Sequence, residues 1–75
     1  MKPEDAHTTT RALLETLRSV GWPPERLEKR VGVSWRTIYR WLDGETEPRA
    51  HHLGTLEEIA EEELQRRIKQ LDRAD

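Results

Sequence analysis

Apolar positions recur along this chain at spacings of three and four residues, which predicts amphipathic helices. Leu13, Leu17 and Val20, with Leu14 beside them, predict a first helix over Thr10–Val20, with Thr8, Thr9 and Thr10 as candidate caps. Leu27 and Val31 lie four apart and share one face of a second, short helix. Pro23-Pro24 opens that helix, since proline needs no N–H partner in a first turn. Ile38, Trp41 and Leu42 line one side of a third helix, and Leu53, Leu56 and Ile59-Ala60 line a fourth. Ala60, Leu64, Ile68 and Leu71 then continue the stripe to the end of the chain. The expected fold is all-α, a compact four- to five-helix bundle with an extended C-terminal helix. Residues 1–8, with Pro3 and no periodicity, read as a flexible arm.

The stretch Gly21–Gly44 organises the rest. Gly32 suits a left-handed backbone position where the second helix ends. Val33 is placed to plug the junction, and Ser34 to cap the third helix. At about 100° per residue, Trp35, Arg36, Tyr39, Arg40 and Asp43 fall within one arc of roughly 140°. Thr37 sits at its border. One face can pack, and the other carries two arginines and two aromatics with polar tips. Arginine forks match guanine edges and phosphates, and aromatic rings can lie on thymine methyls or sugars. This is the pattern expected of a recognition helix in a helix-turn-helix unit. The unit's core would be Leu27, Val31, Gly32, Val33, Ile38 and Trp41.

Leu27, Gly32-Val33-Ser34, Ile38, Arg40-Trp41 and Gly44, then Pro48, Leu53, Leu56 and Ile59-Ala60, resemble the Cro and phage-repressor type of helix-turn-helix domain, the XRE-like family. The resemblance spans roughly residues 11–60 within a unit drawn as 9–60. It implies sequence-specific binding of double-stranded DNA, with helix 34–43 in the major groove. It also implies base contacts at the positions of Trp35, Arg36 and Arg40, and a phosphate contact at Thr37. Tyr39 lines the same face. Arg26, Lys29, Arg30 and Arg49 are candidate phosphate contacts that position without specifying. For Arg26 and Lys29 the competing expectation is a solvated face or salt bridges to Glu25 and Glu28. For Trp35 it is packing against a partner subunit or its own second helix.

Four departures stand beside the resemblance. Pro23-Pro24 replaces a polar cap followed by Gln. Glu28 replaces a small residue where the two helices approach, so it must tilt outward or pair. Glu45 and Glu47 replace basic loop residues. Trp35 occupies a position that is more often polar.

Charge refines this picture. The 75 residues carry 13 basic and 15 acidic side chains, a net −2, which argues against generic attraction to nucleic acid. The distribution is bipolar. Arg26–Arg40 holds five bases against Glu28, and Asp43–Glu63 holds eight acids against Arg49. There is no cysteine, hence no disulfide and no thiolate metal site. No apolar run suits a membrane span and no signal peptide is visible after Met1, so a cytoplasmic, nucleoid-associated protein is expected. Catalysis is not expected. His51 and His52 are adjacent and make no i,i+4 metal clip, both reading as solvated. Ser34 serves as a cap, no glycine-rich phosphate loop exists, and Glu61-Glu62-Glu63 splay around a helix. No cofactor is implied. Gly54 would cost its helix about 1 kcal/mol relative to Ala, as if to allow a close approach.

The segment 57–75 is longer than the bundle needs. Its stripe of Leu64, Ile68 and Leu71 either folds back onto the domain or pairs two subunits into a homodimer that reads a two-fold site. The most direct reading is a small repressor-like transcriptional regulator. One rival is a protein-interaction module, antitoxin-like or anti-activator, whose acidic C-terminal half meets a basic protein. Another is a DNA-binding accessory of a recombinase or transposase.

Overall fold

Leu17, Leu27, Ile38, Leu56 and Ile59 are wholly withdrawn from solvent, and every helix supplies at least one of them. The computed structural model describes the backbone of residues 3–73 and the side chains of residues 9–71. It holds α1 (Pro3–Ser19), α2 (Pro24–Val31), α3 (Trp35–Asp43) and α4 (Ala50–Arg73), with no strand among the described residues. The α3 helix packs against α1 and α2, and α4 lies across both α1 and α2. Leu14, Trp22 and Trp41 complete the core, with Leu13, Val20, Val31, Val33, Leu42, Leu53 and Ala60 around its edge.

Two boundaries differ from expectation. The first helix begins at Pro3 and not at Thr10, so residues 3–8 of the expected arm are helical; Met1 and Lys2 lie outside the described residues. Pro3 fits a first helical turn, and no further proline or glycine interrupts the chain before Gly21. Thr10 is therefore a buried residue within the helix and not a cap. The C-terminal segment is not a fifth helix either. Nothing breaks the helix after Gly54, and α4 runs 24 residues, about 36 Å, to Arg73. Residues 74–75 lie outside the described residues.

The short helices end where glycine allows it. Gly32 (φ 82°) and Gly44 (φ 83°) adopt the left-handed conformation, and the Gly32 N–H closes α2 on the Glu28 carbonyl. Pro24 begins α2 and is buried, with Pro23 as the residue before the first turn.

Two local expectations fail. Gly54 serves no close approach, because a Cβ there would meet nothing within 4 Å. His52 is not solvated. Its ring is half-buried, 5.4 Å from Trp41 and 4.0 Å from His51, and its Nδ1 is buried without a partner. Adjacent helical residues diverge at Cβ, but long rings at a helix start can still converge.

These placements carry two predictions. Replacing Gly54 with Ala should add about 0.5–1 kcal/mol of stability and raise the melting temperature by several degrees, read by thermal and urea unfolding. The His52 imidazole is held below its ordinary 6.5, first by burial and then by the positive charges of His51 and Arg49. The unfolded chain therefore binds this proton more readily than the folded one. Stability is complete above about pH 6.5 and declines as pH falls below it. Melting curves at fixed ionic strength from pH 8 to pH 5.5 should show that decline, and His52→Gln should flatten it.

Candidate nucleic-acid interface

The face of α3 predicted to be polar is the face left open. Trp35 is 39% exposed, Arg36 and Arg40 are exposed, and Thr37 and Tyr39 are half-buried. Ile38 and Trp41 point into the core. The helix is fixed at its start by two acceptors. Ser34 Oγ accepts from the Arg36 N–H at 3.1 Å, and Glu28 Oε2 accepts from the Trp35 N–H at 3.0 Å. Glu28 thus neither tilts outward nor pairs with an arginine. It reaches from α2 to satisfy an orphan N–H of α3, and its charge suits the positive end of that helix.

The two aromatics brace one another. Trp35 and Tyr39 meet edge to face, with centroids 5.8 Å apart and planes at 88°. The Tyr39 hydroxyl donates to Glu25 Oε2 at 3.1 Å, tying α3 to α2 a second time. That bond raises the phenol above its usual value, with burial and the Glu25 charge adding to it. The Arg36 guanidinium lies 5.3 Å from the Trp35 ring, and the two form one projecting cluster.

The candidate phosphate contacts divide into two groups. Arg26 is engaged by the fold: its guanidinium lies 3.8 Å over the Trp22 ring and donates to the Gly21 carbonyl at 2.7 Å. Arg30 makes a two-pronged pair with Glu62 of α4, at 3.2 and 3.1 Å, and that hydrogen bonding raises its affinity for the proton. Lys29, Arg36, Arg40 and Arg49 are exposed, and none of the ion pairs among the described residues, which engage Arg11, Arg30 and Arg66, includes them. Among the candidate contacts, the open cations are thus those of α3, one of α2 and one just before α4.

Four carboxylates have roles that their letters did not announce: Glu25, Glu28, Glu62 and Glu63. The last is the most consequential. Glu63 is 7% exposed. Its Oε1 accepts from the Trp22 indole N–H at 2.9 Å and from Arg66 at 3.1 Å. The indole bond holds the carboxyl below its usual range against the opposing effect of burial, helped by Arg66, Arg67 and Arg26. The acidic run 61–63 offered one signal: Ile59 and Glu63 are four apart, so the buried face of the helix passes through Glu63.

No group of three potential ligands that could hold a metal ion exists among the described residues, and no helix there is long and apolar enough to cross a membrane. Comparison of the chain with protein-family models, with curated proteins and with solved structures returns no match.

The Glu28 contact is directly testable. Glu28→Ala should cost about 1 kcal/mol in urea unfolding at pH 7, the usual cost of losing a helix cap, while Glu28→Gln should retain most of it.

Proposed function

We propose that this protein is a sequence-specific binder of double-stranded DNA, a small repressor-like regulator of transcription that reads the major groove with Ser34–Asp43. One observation carries the reading. On the exposed face of α3 two arginines without internal ion pairs flank two mutually braced aromatics, and the helix start is capped from both sides. A solvated helix face has no need of that set. Arg36 and Arg40 are the base readers, each worth about 1–3 kcal/mol of discrimination if bidentate to guanine. Trp35 and Tyr39 supply apolar contact to methyls or sugars. Thr37, Lys29 and Arg49 take phosphates. Arg26 and Arg30 contribute field but not contact, because the fold already occupies them. In this reading the protein works in the cytoplasm on the nucleoid and needs no cofactor.

So few phosphate contacts bind weakly in one copy, so a homodimer on a two-fold site is part of the proposal. The reading as an acidic docking module loses its best residues. Glu62 is committed to Arg30 and Glu63 to Trp22.

Selection from a random duplex pool should enrich a two-fold motif. Binding of the winner should weaken steeply as salt rises, and Arg36→Ala should lose base preference at a defined position in each half-site. Lys29→Ala should instead weaken all sequences alike and reduce the salt slope by about one. Absence of enrichment at low salt would sink the proposal.

A further inference from the structure

The end of α4 carries an apolar stripe that its own domain does not cover. Leu64, Ile68 and Leu71 are 57%, 43% and 71% exposed. The stripe did not fold back. Its two flanks differ. On one side, an apolar groove of about 120 Å³ opens between α1 and α4, lined by Thr16, Leu17, Val20, Ala60 and Leu64, with Glu63 and Arg67 at its rim. On the other lies a charged trough formed by Glu58, Glu61, Glu62, Gln65, Arg66 and Lys69. The charges along this part of α4 are also segregated. Residues 57–63 hold five glutamates and no base, and residues 64–71 hold Arg66, Arg67 and Lys69 and no acid.

We propose that a second copy of this chain covers the stripe, with the two α4 helices antiparallel about a two-fold axis near residue 66. Three features select that arrangement. The apolar positions 60, 64, 68 and 71 match when one helix is reversed, Ala60 against the partner's Leu71 and Leu64 against the partner's Ile68. Reversal also brings Lys69 of each helix near Glu61 of the other, while Arg66 and Arg67, close to the axis, meet their own counterparts. A parallel pair would set like charges together, which is repulsive. Finally, a two-fold axis across antiparallel helices makes each flank meet its own counterpart, so the partner's Leu71 enters the apolar groove beside Ala60 and Val20 while charge meets charge on the other side. The contact is isologous and closes at two copies. It is small, so a salt-sensitive dimer on the order of micromolar affinity is expected.

This deepens the two-subunit reading above and rests on it only for the identity of the partner. The test uses no DNA, so failure here and failure of DNA recognition are separable. Sedimentation equilibrium of the full chain should show a monomer–dimer equilibrium weakened by salt. Ile68→Glu should weaken it by at least about 100-fold, as expected for losing buried aliphatic surface in both copies. Its helical circular dichroism should be unchanged, because Ile68 contributes nothing to the monomer core. The chain lacks cysteine, so single-cysteine variants report orientation. In a mixture of Glu61→Cys and Lys69→Cys proteins, a short bis-maleimide should join 61 to 69. Predominant 61–61 and 69–69 products would establish a parallel pair and overturn the proposal. So would a chain that stays monomeric at hundreds of micromolar in low salt.

Discussion

The Trp22 indole is the point on which the rest of the structure turns. It sits in the loop between α1 and α2, packs into the core, and donates its one N–H to Glu63 of α4. Arg26 covers its ring at 3.8 Å, and Arg30, 5.6 Å away, continues to Glu62. A buried carboxylate without partners would cost several kcal/mol. Here the indole and Arg66 satisfy it, and removing the indole or the carboxylate would leave its partner without its bond in a largely buried place. The consequence is mechanical. The loop before α2 is pinned to α4, α2 holds α3 through Leu27, Glu25 and Glu28, and the exposed face of α3 takes its orientation from a contact on the far side of the domain.

That arrangement divides the positive charge. A chain of net −2 has few cations to spare, and the fold takes Arg26 and Arg30 for itself. Both are exposed at the guanidinium, so the energy of each pair alone is small. Their value lies in geometry: a planar group stacked on an indole or forked onto a carboxylate fixes direction as well as distance. The same requirement explains why Glu63 is not free to face a partner. Part of the apparent bipolarity of the sequence is internal wiring, since Arg30 of α2 is tied to Glu62 of α4.

Much of this was legible in the letters. The arcs of α3, the glycines at 32 and 44, the Ser34 cap and the core residues Leu17, Leu27, Ile38, Leu56 and Ile59 follow from periodicity and local stereochemistry, which are properties of short windows. The failures share the opposite origin. The Glu63–Trp22 bond joins residues 41 positions apart, and Arg30–Glu62 joins residues 32 apart. Helical spacing places Glu63, four residues after Ile59, on the buried face and Glu61 off it, but only tertiary packing supplies the indole that a buried carboxylate needs. Glu28 does pair, but with a backbone N–H and not with an arginine. A carboxylate at a helix–helix approach was recognised as a problem, but its solution, capping the next helix, requires knowing where that helix begins. The threonines at 8–10 suggest a cap where α1 runs straight through, and histidine beside histidine suggests solvent where the His52 ring is half-buried.

The final constraint concerns α4, which has two jobs on two sides of one cylinder. Its first half is held against α1 and α2 by Leu56, Ile59 and Glu63, and its last turns project beyond the bundle with apolar residues outward. A helix without a break between these parts transmits position rigidly. Whatever fixes the projecting end fixes the bundle with it, and through Glu62, Glu63 and α2 the direction in which α3 faces. On the proposed antiparallel pairing, the distance between the two α3 helices is therefore set by the length and register of α4 and not by a flexible linker. On the proposed DNA-binding function, half-site spacing is then a geometric property of this chain, and a shift of one heptad in the stripe would move the proposed reading helices along the DNA axis without touching a single base contact.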